Sequence, residues 1–117
     1  MFAWLMGIKT ISPARLNQLT QDKQATAIDV NSHQSWVKAR VPGALNLDPA
    51  GYDEKSLPAD KDSLLVFYCS NPLCRKAPNA ARRAKQMGYR NVHVMSAGIS
   101  GWLDAKLPTE SGEQAAE

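Results

Sequence analysis

The chain has 117 residues and a formal charge of +3, from 14 Lys and Arg against 11 Asp and Glu. That length fits one domain with a core large enough to hold without disulfide staples. No Lys/Arg run interleaves with aromatics, which argues against a nucleic-acid surface, and the mild basicity suits a small anion instead.

In chain order, Phe2, Ala3, Trp4, Leu5 and Met6 form an apolar patch before Gly7. It has no basic residues ahead of it and falls far short of the roughly 20 residues of a membrane span. Residues 1–7 are therefore expected to be an extension that packs on the domain surface, with a dimer contact or shallow membrane association as alternatives. A cytoplasmic location with no membrane partner is the default expectation. A short strand is predicted over 8–11, then a helix from the Ser12 cap and Pro13 to about residue 19. A buried strand follows at 26–30, and Ser32 caps a short helix carrying Trp36 and Val37. Pro42-Gly43 signals a turn before the apolar stretch 44–47, and 48–62 reads as a loop. The strand 64–68, a helix over 78–87, a strand at 91–95 and a helix near 99–105 complete the domain, which spans 8–108. Residues 109–117 are polar, small and aperiodic, so a flexible, frayed tail is expected.

Strands alternating with helices predict an α/β fold with a mainly parallel central sheet flanked by helices. Ligands in such folds bind beyond the carboxyl ends of the strands. Cys69 lies there, directly after the apolar run Leu64-Leu65-Val66-Phe67-Tyr68. The thiolate is the reactive form of cysteine, and a free thiol with a pKa of about 8.5 is mostly protonated at neutral pH. A short loop ahead of a helix stabilises an anion through inward N–H groups and the positive end of the helix dipole. From Ser63 to Leu103 there is no Asp or Glu, while Arg75, Lys76, Arg82, Arg83, Lys85 and Arg90 fall inside that window. Cys69 is thus the candidate catalytic nucleophile. The plainer alternative is a buried structural thiol at a strand end.

The loop residues Ser70, Asn71, Pro72, Leu73, Cys74, Arg75 and Lys76 are the candidate substrate-binding set. Arg75 is expected to orient an anionic donor, Ser70 and Asn71 to contribute backbone donors, and Lys76 to be solvated rather than essential. Cys74 is read as a resolving thiol that closes a disulfide on Cys69, or equally as a small packed loop residue. The two cysteines cannot make a secreted disulfide framework or a four-ligand zinc site, and His33 and His93 stand alone. No metal or cofactor is expected. Trp36 and Trp102 fall at apolar-periodic helix positions and are expected to be core anchors; His93 is expected to be structural.

Several segments together resemble a single-domain rhodanese, from Ile11 to Pro108. They are Ala27-Ile28-Asp29-Val30, Arg40-Val41-Pro42-Gly43-Ala44-Leu45-Asn46-Leu47, Val66-Phe67-Tyr68-Cys69, Ala80-Ala81, Gly88-Tyr89, Val92 and Ala97-Gly98-Ile99-Ser100-Gly101-Trp102. The resemblance implies a three-layer rhodanese-like fold. It also implies a sulfurtransferase that moves sulfane sulfur from thiosulfate or a persulfide donor to a thiol or cyanide acceptor, through a persulfide on Cys69. A protein acceptor is a further expected partner. Asn31 stands where the family usually has Arg, and Ala39-Arg40 replaces Gly-His, so the polar bracing under the loop is expected to be built differently. The Cys-X5-Arg spacing of Cys69 and Arg75 resembles the rhodanese-fold phosphatases and arsenate reductases, which gives the alternative chemistry. Against a phosphatase, the loop contains no carboxylic acid to protonate a leaving oxygen. A persulfide carrier or docking module without turnover is the non-enzymatic alternative.

Overall fold

The computed structural model describes residues 8–113. The apolar segment 1–7 and its expected surface packing lie outside the described residues, as do residues 114–117. Five strands, β1 (Lys9–Thr10), β2 (Thr26–Asp29), β3 (Leu45–Asn46), β4 (Leu64–Tyr68) and β5 (Asn91–Val94), form one sheet in the order β1-β5-β4-β2-β3. Every neighbouring pair is parallel. Four helices connect them: α1 (Pro13–Gln21), α2 (His33–Lys38), α3 (Lys76–Gln86) and α4 (Gly98–Asp104), with a 3-10 turn at Glu54–Ser56.

β4 is central, and its uninterrupted apolar sequence follows from burial on both faces. Successive side chains of a strand point to opposite faces. Leu65, Phe67 and Cys69 accordingly join a cluster with Tyr52 and with Ala77, Ala80, Ala81 and Ala84 of α3. Val66 and Tyr68 join the opposite cluster with Leu16 of α1 and Trp102 of α4. The result is three layers, with Cys69 on the side that α3 covers.

Local chemistry explains the element boundaries. Ser12 Oγ accepts from the Arg15 N–H at 3.1 Å with Pro13 in the first helical position, and Ser32 Oγ accepts from the Ser35 N–H at 3.2 Å. Both are side-chain N-caps. Gly43 has φ +79° and the Ala44 N–H donates to Val41 O at 3.0 Å, so Pro42-Gly43 makes a turn that needs glycine in its second central place. Several boundaries differ from expectation by one or two residues, α1 running on to Gln21 and β5 ending at Val94 among them. α3 begins at Lys76, so Pro78 sits within its first turn, where a missing N–H costs no helical bond. Trp36 and Trp102 are buried as expected, donating from Nε1 to Ala44 O at 2.9 Å and to Pro108 O at 2.7 Å.

Residues 110–113, expected to fray, lie against α2. Arg40 is fully buried; its Nε donates to Glu110 Oε1 at 2.9 Å, and one terminal nitrogen donates to Trp36 O at 3.1 Å and Gly112 O at 2.8 Å. The guanidinium lies 3.8 Å from the Trp36 ring centroid. Arg40 and Glu110 exchange both backbone hydrogen bonds at 3.0 Å, and the Gly112 N–H donates to Val37 O at 2.9 Å. A buried cation needs such a full set of acceptors, and the tail provides them. Glu113 then meets His33 Nε2 at 2.9 Å, which holds the His33 pKa above its usual value. Arg40→Met should lower the unfolding free energy by about 2–4 kcal/mol, because it leaves the mostly buried Glu110 carboxylate without its cation. Urea denaturation checks this; an unchanged midpoint would mean that the clamp contributes nothing to stability.

Candidate active site

The loop that leaves β4 at Cys69 is fastened from two sides. α4 begins at Gly98, and the Ile99 and Ser100 N–H groups donate to Cys69 O at 2.8 Å and Ser70 O at 3.0 Å. First-turn N–H groups have no partner within their own helix, so the carbonyls of the loop act as the cap of α4. The contact is close because residue 98 has no side chain. A Cβ there would lie 2.6 Å from Asn71 N and from Ser70 C, at a φ of +67°.

Within the loop, the Cys74 N–H donates to Asn71 O at 3.1 Å and the Leu73 N–H to Asn71 Oδ1 at 2.9 Å. Asn71 therefore builds a turn with its own side chain, a habit of that residue. The turn brings Cys74 back to Cys69. The two are joined by a disulfide, with Cα atoms 6.5 Å apart, inside the range that such bonds require. The Leu73 and Cys74 N–H groups are spent inside the turn, so the closed loop does not offer them to an anion. Cys69 is buried, Cys74 is half-buried, and Ser70, Asn71, Pro72 and Leu73 are exposed.

Beneath the loop the bracing is indeed of another kind than Arg and His would supply. Asn31 Oδ1 accepts from Ser70 Oγ at 3.2 Å, while Asn46 Nδ2 donates to Asp29 O at 3.1 Å and Asn31 O at 3.0 Å. Asp29 is fully buried; its Oδ1 accepts from the Asn31 N–H at 2.8 Å and its Oδ2 from the Tyr68 hydroxyl at 2.9 Å. That hydroxyl also accepts from the Val41 N–H at 3.0 Å. Burial pushes the Asp29 pKa up from the carboxylate range, against the pull of the two donors. Tyr68 is pushed up as well, first by its burial and then by the neighbouring Asp29 charge. Both groups serve the support and not the reacting atom.

The cation-rich window resolves into two regions. Arg75 is the N-cap residue of α3 and makes no side-chain cap hydrogen bond, and the start of that helix adjoins the loop. Lys76 stands next to it. α3 then runs away from the loop, and Arg82, Arg83 and Lys85 lie in its later turns. Arg83 Nε donates to Tyr52 O at 3.0 Å and Arg90 Nε pairs with Asp62 at 2.5 Å. The positive field at the loop therefore comes from Arg75, Lys76 and the helix end, not from all six cations.

A cleft of about 710 Å³ opens beside the loop, walled by Asn31, Asn46, Leu47, Asp48, Lys76 and Asn79 among others. Asp48 is a carboxylate that the acid-free stretch did not include; its Oδ1 accepts from the Ala50 N–H at 3.0 Å. His93 lies opposite Val66 in the sheet, and burial lowers its pKa, with the Lys9 charge adding to the shift. Among the described residues no three His, Cys, Asp or Glu side chains converge as metal ligands would, and no helix is long and apolar enough to cross a membrane. The structure thus brings Cys69, Ser70, Asn71, Pro72, Leu73, Cys74, Arg75 and Lys76 into one loop and helix start. Asn31 is flagged in the bracing by the sequence, which gives no site role to Gly98, Asn46 or Asp48. Gly98 had a signal, as the glycine that opens α4 a short turn after the buried strand β5.

A model of the rhodanese-like domain matches residues 12–105. The chain is 30% identical over 106 residues to the thiosulfate sulfurtransferase GlpE of Actinobacillus succinogenes, covering 91% of this chain and 94% of that protein. It is also 30% identical over 102 residues to an HTH-type transcriptional regulator of Mycobacterium tuberculosis, covering 87% of this chain but only 45% of the regulator. The crystal structure of a thiosulfate sulfurtransferase from Pseudomonas aeruginosa has the same fold, with a TM-score of 0.79 at 24% identity over 92% of this chain and 20% of that one. The parallel sheet, a cysteine at the end of its central strand and a family match over most of the length agree, and the chain belongs to the rhodanese-like domain family.

Proposed function

We propose that the chain is a sulfurtransferase with Cys69 as its nucleophile. The observation that carries this reading is the place of Cys69, at the carboxyl end of β4 and facing the start of α3, in a chain of the rhodanese family. Once the disulfide is reduced, the Cys69 thiolate attacks the outer sulfur of thiosulfate or of a persulfide donor. Sulfite or a thiol leaves with the bonding electron pair, and Cys69 keeps the sulfur as a persulfide. Arg75, Lys76 and the first turn of α3 hold the anionic donor. A thiol, or cyanide in the test tube, then takes the outer sulfur. The adjoining cleft gives an acceptor larger than cyanide a place to approach.

Arsenate reduction is the second reading, favoured by the Cys69–Cys74 disulfide, since closing such a bond would supply the two electrons. Phosphate-ester cleavage has less support, because the loop has no acid and Asp48 would have to be recruited from the cleft wall. The test sets the protein, held reduced by a dithiol throughout, against thiosulfate with cyanide, arsenate, and an aryl phosphate. Thiocyanate formation with many turnovers, well above the other two rates, is the expected result. Faster arsenate or phosphate-ester turnover would overturn it, and a single loading without turnover on small thiols would make the protein a carrier.

A further inference from the structure

We propose that the same loop carries a second activity, the release of sulfide: once Cys69 holds a persulfide, Cys74 attacks Cys69 Sγ and expels the outer sulfur. This rests on the persulfide reading above and goes beyond it in the product. Cys69–S–SH and Cys74–SH become the Cys69–Cys74 disulfide and hydrogen sulfide. The bond between Cys69 Sγ and the outer sulfur breaks, and its electron pair leaves with that sulfur. The new bond joins the two Sγ atoms. The outer sulfur is reduced to sulfide, the two cysteines are oxidised, and the proton of Cys74 goes to the departing sulfur or to solvent. An external dithiol reopens the disulfide and is itself oxidised, which completes a cycle in which sulfane sulfur is reduced at the expense of thiols.

Three observations select this outcome over simple transfer. First, the bond in the structure joins Cys74 to Cys69 Sγ itself, which is the inner sulfur of the persulfide. Attack at the outer sulfur would only move the persulfide to Cys74, whereas attack at the inner sulfur must release it. Second, in the closed form Cys69 is 2% exposed, so its Sγ lies inward of the loop surface, while the outer sulfur of a persulfide extends beyond it toward an arriving acceptor. External acceptors are directed to the outer atom, and Cys74 alone among the thiols of the chain approaches the inner one. Third, the Asn71 turn fixes Cys74 over the loop through two hydrogen bonds, and such placement makes the attack effectively unimolecular. Hydrosulfide is a weaker base than an alkyl thiolate, and the weaker base leaves faster in thiol exchange. The half-buried position of Cys74 leaves the disulfide open to an external dithiol.

The experiment mixes reduced full-length protein, freed of small thiols and kept anaerobic, with one equivalent of thiosulfate. Sulfide is trapped with an alkylating reagent and the protein mass is read in parallel. The expected result is about one sulfide per chain with protein lighter by two hydrogens than the reduced form. Cys74→Ser should instead retain an added sulfur and release sulfide only when a dithiol is supplied. Wild-type protein that keeps its added sulfur as long as Cys74→Ser does, with no sulfide trapped, would overturn the proposal and leave the transferase reading intact. If neither protein gains sulfur or gives sulfide, the persulfide reading falls, and this proposal with it.

Discussion

Cys69→Ser is expected to abolish thiocyanate formation while the fold persists. The exchange keeps the size of the side chain and leaves the backbone anchors of the loop, Ile99 to Cys69 O and Ser100 to Ser70 O, untouched. What it removes is the sulfur that attacks the donor and carries the persulfide. Loss of such a nucleophile costs on the order of 10³-fold or more, as in other covalent mechanisms. The fold should tolerate the change at a cost of about 1–3 kcal/mol for a hydroxyl placed in the apolar cluster around Ala77, Ala80 and Phe67. The comparison belongs in reduced protein, since the variant also removes the disulfide. Steady-state thiocyanate assays and a urea midpoint measure the two effects. A folded variant with substantial residual turnover would move the nucleophile to Cys74.

Gly98→Ala should be nearly as damaging by a different route. The added methyl would sit 2.6 Å from the backbone of the loop at Ser70 and Asn71, so the loop or the start of α4 has to move. Either shift breaks the bonds that fix Cys69 O and Ser70 O. A displacement of about 1 Å at a reacting centre costs roughly 10²-fold in rate, and kcat/KM for thiosulfate should fall by about that much. Left-handed backbone adds roughly 1–2 kcal/mol of strain to any residue with a Cβ. Gly88→Ala separates the two causes, because Gly88 has φ +98° but nothing within 4 Å of its added Cβ. It should lose stability and keep activity. Equal behaviour of the two variants would show that Gly98 acts only through its own backbone conformation.

Where a residue's role depends on its near neighbours, the sequence was readable. The span 64–68 of β4, the Ser12 and Ser32 caps and the Pro42-Gly43 turn depend on contacts within a few positions, and all lie where the residue types place them. The cysteine at the end of the central strand was legible for the same reason. The Arg40 clamp was not, because its acceptors lie about 70 positions away in a tail whose composition suggests disorder. The spread of positive charge was misjudged because a linear window ignores that a crossover helix carries its later turns to the opposite end of the sheet. The Asp29–Tyr68 pair becomes visible only once the register of β2 on β4 is known, where the two residues are direct partners. Gly98 had a local signal in its position, but its need for no side chain comes from a loop almost thirty residues earlier.

Intact mass of the reduced protein tests most directly whether Cys69 carries sulfur. Cys74→Ser, in which a loaded persulfide has no internal thiol to displace it, is measured before and after thiosulfate and again after cyanide, beside a Cys69→Ser/Cys74→Ser double variant. The expected result is a gain of one sulfur atom that requires Cys69 and disappears with cyanide. No gain, or a gain that persists in the double variant, would contradict a persulfide at Cys69 and with it the sulfurtransferase function.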